Sequence, residues 1–298
     1  MARPARSAAS GRKEPVTQPL AARKSPFGAD LAPRAISGIV LIASALAAAY
    51  WGGLPFAIFW LVAFGAVAWE WQRLSAKGGA ADVMRAIVCW AGLTLAFALT
   101  TSGLIGWAVA AVVASGIVAA FVGGSFGADW RLAGSGALYA GFPLIAVLAL
   151  RGQSREGQIA IFWVFAVVWT TDIGAYFVGR LLGGPKLWPS ISPGKTWSGA
   201  IGGLVLGAGA GLAFAGSTND PYVLGALGLG VSLTSQAGDL FESALKRRYG
   251  VKDSGNLIPG HGGIMDRLDG FLAAVVLAAI VAWVNAEGAN IGAGLFAW

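Results

Sequence analysis

Nine apolar runs follow one another along this chain, each roughly 17–25 residues long, the length a helix needs to cross the hydrocarbon core of a bilayer. They fall near 35–52, 54–70, 83–101, 103–123, 132–150, 159–181, 198–216, 222–240 and 268–286. One such run alone is compatible with a buried helix of a soluble domain. Nine in series leave too little polar surface to face water. Only 12 % of the 298 residues are Asp, Glu, Lys or Arg, about half the ~25 % share of soluble domains. The 45 glycines and 13 tryptophans fit the same class, because Gly lets membrane helices pack closely and Trp favours the interface. The sequence therefore predicts an all-α polytopic membrane protein with about nine transmembrane helices. It excludes a disordered chain, a nucleic-acid-binding module and a soluble enzyme.

Residues 1–34 have no apolar period and hold seven bases against two acids, a net +5. They read as a disordered basic N-terminal arm, too long for a signal peptide. Most of the chain's net charge of +7 is thus a property of this arm. A basic arm beside a membrane is expected on the cytoplasmic side, touching anionic lipid. With it inside, alternation puts 182–197 and 241–267 inside and 151–158, 217–221 and 287–298 outside. Arg180, Lys186 and Lys195 then fall at the inner end with no acid among them. Arg151, Arg155 and Glu156 leave a less favourable +1 on an outside loop. The chain divides into the arm, N-terminal membrane helices over 35–158, a catalytic membrane region over 159–286 and a short tail over 287–298. One cysteine, Cys89, and one histidine, His261, exclude a disulfide framework and a His-rich metal cluster.

Half of the fourteen acids and eight of the 21 bases lie between 159 and 270. Ionisable residues in or at the ends of membrane helices are costly and point to function. One cluster runs from Asp172, inside an apolar run, to Ser192, Lys195, Thr196 and Ser198, just ahead of the next run. Hydroxyls, a lysine and backbone N–H groups at a helix start suit a phosphate, and they equally suit a helix cap. Gly194-Lys195-Thr196 is not a P-loop, because Pro189 stands where that motif needs glycine. The other cluster holds Asp239, Glu242 and Ser243 at helical i, i+3, i+4 spacing, with Lys246 a turn further on. Arg247, Arg248, Lys252, Asp253, His261, Asp266, Arg267 and Asp269 follow. Carboxylates offered from two helix ends are what Mg²⁺ needs when it shares its shell with phosphates. Carboxylates, bases and Gly-rich turns within about thirty residues argue for nucleotide or phosphate chemistry.

The pattern Ser243-x₂-Lys246-Arg247-x₄-Lys252-Asp253-x-Gly255-x₂-Ile258-Pro259-x-His261-Gly262-Gly263-x-Met265-Asp266-Arg267-Leu268-Asp269 closely resembles the signature of phosphatidate cytidylyltransferases. The 172–197 stretch, with its Ser-Pro-x-Lys-Thr-Trp core, resembles an upstream block of that family. Trp69-Glu70-Trp71 resembles a further element at the end of the second run. Ser198 departs from the acidic or amide residue expected there. The resemblance covers 160–286 well and 35–160 only in general character. CDP-alcohol phosphotransferases are excluded, since Ala274 follows Asp269-Gly270-Phe-Leu-Ala273 where their motif has arginine, and no acid recurs until Glu287.

The resemblance implies CTP + phosphatidate → CDP-diacylglycerol + diphosphate at the cytoplasmic face of a bacterial inner membrane. It implies Mg²⁺ on Asp239 and Asp266, with room for a second cation. Lys246, Arg247, Lys252 and Arg267 are expected, with those two aspartates, as the catalytic set, holding the phosphates of CTP or of the leaving diphosphate. Asp172, Ser192, Lys195, Thr196, Ser243, Asp253, His261 and Asp269 are the expected substrate contacts. The competing readings are a CTP-dependent lipid kinase, which would release CDP, and a transporter, whose charges would spread along a path rather than gather at one interface. Gly-rich stretches such as 198–216 serve a homodimer or close packing within one chain equally well.

Overall fold

The computed structural model describes residues 31–74, 76, 79–217, 220–258, 262–288 and 290–298. The basic arm up to residue 30 and His261 lie outside them. Each apolar run is a helix: α1 Leu31–Trp51, α2 Gly53–Leu74, α3 Ala80–Thr101, α4 Ile105–Ser125, α5 Trp130–Arg151, α6 Arg155–Leu182, α7 Trp197–Leu212, α8 Pro221–Arg248 and α9 Met265–Asn285. Of these, α2 to α6 and α9 are long and apolar enough to cross a membrane. The protein is thus an α-helical membrane protein.

Three details differ from the sequence reading. Residues 31–34 already belong to α1, so the arm is shorter than 34 residues. Helix α8 runs on through Arg248, so 241–248, counted with the inner loop by the run boundaries, are helix, as the i, i+3, i+4 spacing indicates. The link between α6 and α7 holds two short antiparallel strands, β1 Lys186–Trp188 and β2 Ser192–Thr196, with Lys186 opposite Thr196 and Trp188 opposite Ser192. The fold is all-α apart from this ribbon.

Helix α5 packs against α2, α3, α4 and α9 and is buried on nearly all sides. It can be, because small residues occupy the contacts. Helices α6, α7 and α8 lie side by side. Gly199, Gly203, Gly207 and Gly211 form the buried stripe of α7. A Cβ on Gly203 would stand 2.9 Å from the Thr171 carbonyl oxygen of α6, and one on Gly211 would stand 2.7 Å from the Leu224 carbonyl oxygen of α8. The four glycines of this stripe are therefore used within the chain. A hydrogen bond between the Thr171 and Ser232 hydroxyls, 2.7 Å, ties α6 to α8 in the interior. Trp60 stacks on Phe271 with ring centroids 4.9 Å apart, joining α2 to α9.

The two ends of the bundle differ in chemistry. At one end Arg151 donates through Nε to the Ala49 carbonyl, 2.9 Å, and through Nη2 to the Tyr50 carbonyl, 3.4 Å. It is buried there and closes the last turn of α1. The tail over 287–298 is not a bare extension: a short helix α10, Ile291–Gly294, sits at this end with Ile291, Leu295 and Phe296 buried. At the other end α2, α6 and α8 finish, α5, α7 and α9 begin, and the charged clusters gather.

Candidate active site

Helix α6 presents Asp172, Tyr176 and Arg180 at four-residue spacing, which places them on one face. The β-ribbon folds back over that face. Between them lies a cavity of about 620 Å³ whose polar lining includes Asp172, Arg180, Lys186, Ser192, Lys195 and Asp239. The Lys195 ammonium donates to Asp239 Oδ2 at 2.5 Å, so the two sequence clusters meet in one salt bridge between β2 and α8. Ser243 Oγ approaches the other oxygen, Asp239 Oδ1, at 3.4 Å. Arg180 donates to the Tyr176 hydroxyl at 2.7 Å, and Lys186 to the Gly194 carbonyl at 3.4 Å. Thr196 is the N-cap of α7, its Oγ1 accepting from Gly199 N–H at 3.1 Å, and Ser198 donates to the Gly183 carbonyl. Thr196 thus serves as a helix cap and also lines the cavity.

The second cluster is built around Lys246. Its ammonium lies 3.1 Å from Glu242 Oε1 and 2.6 Å from Asp266 Oδ1, with all three side chains at least 90 % buried. Tyr139 of α5 donates its hydroxyl to Glu242 Oε2 at 3.4 Å. Asp266 also accepts the backbone N–H of Ser254 and of Gly263, both at 2.9 Å on Oδ2. Arg247 reaches the Ile191 carbonyl in the ribbon, 3.4 Å, and the Val251 carbonyl, 3.2 Å. Lys252 and Asp253 are exposed at a bend.

A separate cavity of about 650 Å³ lies between α1, α2, α6 and α9. Its wall is apolar over Leu41, Phe59, Trp60, Phe165 and Phe271, and Asp172, Arg267 and Asp269 stand at its polar end. Asp172 lines both cavities.

The sequence model of the cytidylyltransferase family matches residues 32–284 of this chain. The chain belongs to the cytidylyltransferase family. A phosphatidate cytidylyltransferase of Brucella suis is 40 % identical over 260 residues, covering 87 % of this chain and 95 % of that protein. One of Pseudomonas aeruginosa is 36 % identical over 272 residues, with 87 % and 99 % covered. One of Bacillus subtilis is 48 % identical over 139 residues, 46 % of this chain and 52 % of that protein.

In this cytidylyltransferase the fold brings Asp172, Ser192, Lys195, Asp239 and Ser243 to the polar cavity or its edge. It sets Lys246 and Asp266 in a buried network beside it. Arg267 and Asp269 go to the apolar cavity. Tyr176, Arg180 and Lys186 were missed as site residues; the four-residue spacing from Asp172 was the readable signal for the first two. Among the described residues, no three Asp, Glu, His or Cys side chains converge to hold a metal by themselves. Asp239 faces the cavity, whereas Asp266 accepts from Lys246 and from two backbone N–H groups. Such a donor set fits a cation that shares its shell with substrate phosphates rather than one caged by protein.

Removing one partner from a buried ion pair costs more than the pair contributes. Lys246→Met leaves Glu242 and Asp266 buried without their cation and should lower unfolding stability by about 3–5 kcal/mol. Adding Glu242→Leu should recover part of that loss, as read from reversible unfolding in mixed micelles. Strictly additive losses would mean that the triad is not a coupled unit.

Proposed function

We propose that this chain is a phosphatidate cytidylyltransferase, converting CTP and phosphatidate to CDP-diacylglycerol and diphosphate. The relatives that span most of the chain carry that name. The observation that carries the reading is the meeting of two unlike cavities at Asp172. The polar one, with Arg180, Lys186 and Lys195, suits the triphosphate of a water-borne nucleotide. The apolar one suits acyl chains, with Arg267 at the end where a lipid phosphate would lie.

In this reading the phosphate oxygen of phosphatidate attacks the α-phosphorus of CTP and the bond to the diphosphate breaks. The attacking group is already anionic, so no covalent protein nucleophile is required. The protein contributes position and charge. Lys195, Arg247 and Lys252 neutralise nucleotide phosphates, with Ser192 and Thr196 at the ribbon, while Arg267 and Asp269 border the lipid. Lys246 holds Asp266 in place. Mg²⁺ would be held by Asp239 and Asp266 together with phosphate oxygens. When bound, the ion offsets the negative charge that builds on the leaving diphosphate.

The proposed topology is nine crossings, with the N-terminus and the site cytoplasmic and the C-terminus outside. Arg151, the base that weighed against it, is occupied by the carbonyls of α1, and so does not act as a loop charge. The relatives named above support a bacterial cell membrane as its location.

The purified protein should release diphosphate only when CTP and phosphatidate are both present. Asp239→Asn should cut kcat by about 10²–10³ while the protein still inserts and purifies. Release of CDP in place of diphosphate would overturn the reading in favour of a kinase. For topology, single cysteines at 255 and 295 in a Cys89→Ala background should react with an impermeant reagent from opposite sides. Labelling from the same side would overturn the nine-crossing arrangement.

A further inference from the structure

Glu70 is 1 % exposed, near the end of α2, and pairs with no lysine or arginine among the salt bridges of the described residues. Both carboxylate oxygens are nevertheless occupied. Oε1 accepts the backbone N–H of Ile264 at 3.0 Å, and Oε2 accepts that of Met265 at 2.8 Å. Ser254 Oγ lies 2.9 Å from Glu70 Oε2 and 3.0 Å from Asp266 Oδ2. Ile264, the N-cap position of α9, supplies no side-chain cap of its own. Glu70 thus caps α9 from another helix, about 190 residues away in sequence, and an anion suits the positive end of the helix. The surroundings are built to fit it: a Cβ on Gly255 would stand 2.6 Å from Glu70 Oε1, and one on Gly263 would stand 2.5 Å from Oε2.

We infer that Glu70 is a positioning residue for the reaction: it clamps Ser254 to the start of α9 at Ile264 and Met265, so that Asp266 and the Lys252–Asp253 bend are held in the arrangement that receives substrate phosphates. The inference rests on the reading of this site as a phosphatidate cytidylyltransferase. The Ser254 hydroxyl has one proton and two carboxylates to serve. Glu70 and Asp266 therefore share Ser254 as a common partner, and a change at Glu70 changes what Asp266 receives from that hydroxyl. The backbone donors Ile264 N–H and Met265 N–H cannot be turned away, because they belong to the first turn of α9. A carboxylate satisfies both, and an amide at the same place satisfies only one while turning an N–H donor toward the other.

Glu70→Gln tests this with almost no change in volume. The variant should keep an unfolding midpoint close to the parent's and lose about 10- to 100-fold in kcat for diphosphate release. Its KM for CTP should move by less than about threefold, because a misplaced group at the reacting centre acts on the transition state more than on ground-state binding. Amide hydrogen exchange should rise at 254–258 and 262–265 and stay unchanged in α5. Ser254→Ala, which deletes only the shared hydroxyl, should show the same pattern more weakly, and it serves if Glu70→Gln fails to fold. A parent-like kcat in the folded variant, or exchange rising throughout the protein in step with a lowered midpoint, would overturn the inference, since Glu70 would then be a structural acid and no more. If the unmodified protein released no diphosphate, the reading of the reaction would fall. Exchange at Ile264 and Met265 would still report whether Glu70 holds the loop, and unchanged exchange in the variant would overturn the clamp itself.

Discussion

Charges brought to the ends of membrane helices must find partners on other elements, and the end of this bundle that carries the site is organised by that requirement. Lys246 stands between Glu242 on its own helix and Asp266 on the next, all largely out of solvent. Lys195 and Asp239 tie the ribbon to α8. The buried Lys246 pairings offset a desolvation cost that no member could bear alone, while the Lys195–Asp239 pair stays partly in solvent. Together they force the α6–α7 link, the end of α8 and the start of α9 into contact. The polar cavity is what these pairings leave between them.

The tight packing of α6, α7 and α8 serves the same end. Without side chains on Gly203 and Gly211 the backbones approach closely enough for the face of Asp172, Tyr176 and Arg180 to lie against β2 and α8. On the far side of Asp172 the bulk of Trp60, Phe165 and Phe271 holds α2, α6 and α9 apart and leaves an apolar space. Small residues close one cavity around charges, and large rings keep another open among hydrocarbon.

Much of this was legible in the sequence, because membrane helices announce themselves by length and apolar character. All nine runs became helices, and the i, i+3, i+4 spacing of Asp239, Glu242 and Ser243 correctly put them on one helical stretch. That the two polar clusters lie at the same end was readable as a gathering of charge; that Lys195 meets Asp239 was not. What was not readable depends on contacts between residues remote in sequence. The β-ribbon is set by pairing within a short polar link that has no strong alternation. Arg151 looked like a loop charge until the α1 carbonyls claimed it. Asp266, expected as a Mg²⁺ ligand, gave no sign in the sequence that its oxygens accept two backbone N–H groups and a lysine. Glu70 gave no local sign of its link to α9, because its partners are backbone amides, which any sequence would supply.

A lipid kinase and a cytidylyltransferase share the need for a nucleotide beside a lipid, so the arrangement of the two cavities underlies the functional reading. Each substrate can be located by its own photoreactive analogue. A phosphatidate with a diazirine in its acyl chain should label the α2 and α9 walls, around Phe59–Ala63 and Leu268–Phe271. A photoreactive CTP should label the α6 end and the ribbon, between Tyr176 and Ala200. Each should be displaced only by its own unmodified substrate. Acyl-chain label on the ribbon, or both probes on the same peptide with mutual displacement, would contradict the separation of lipid and nucleotide on either side of Asp172.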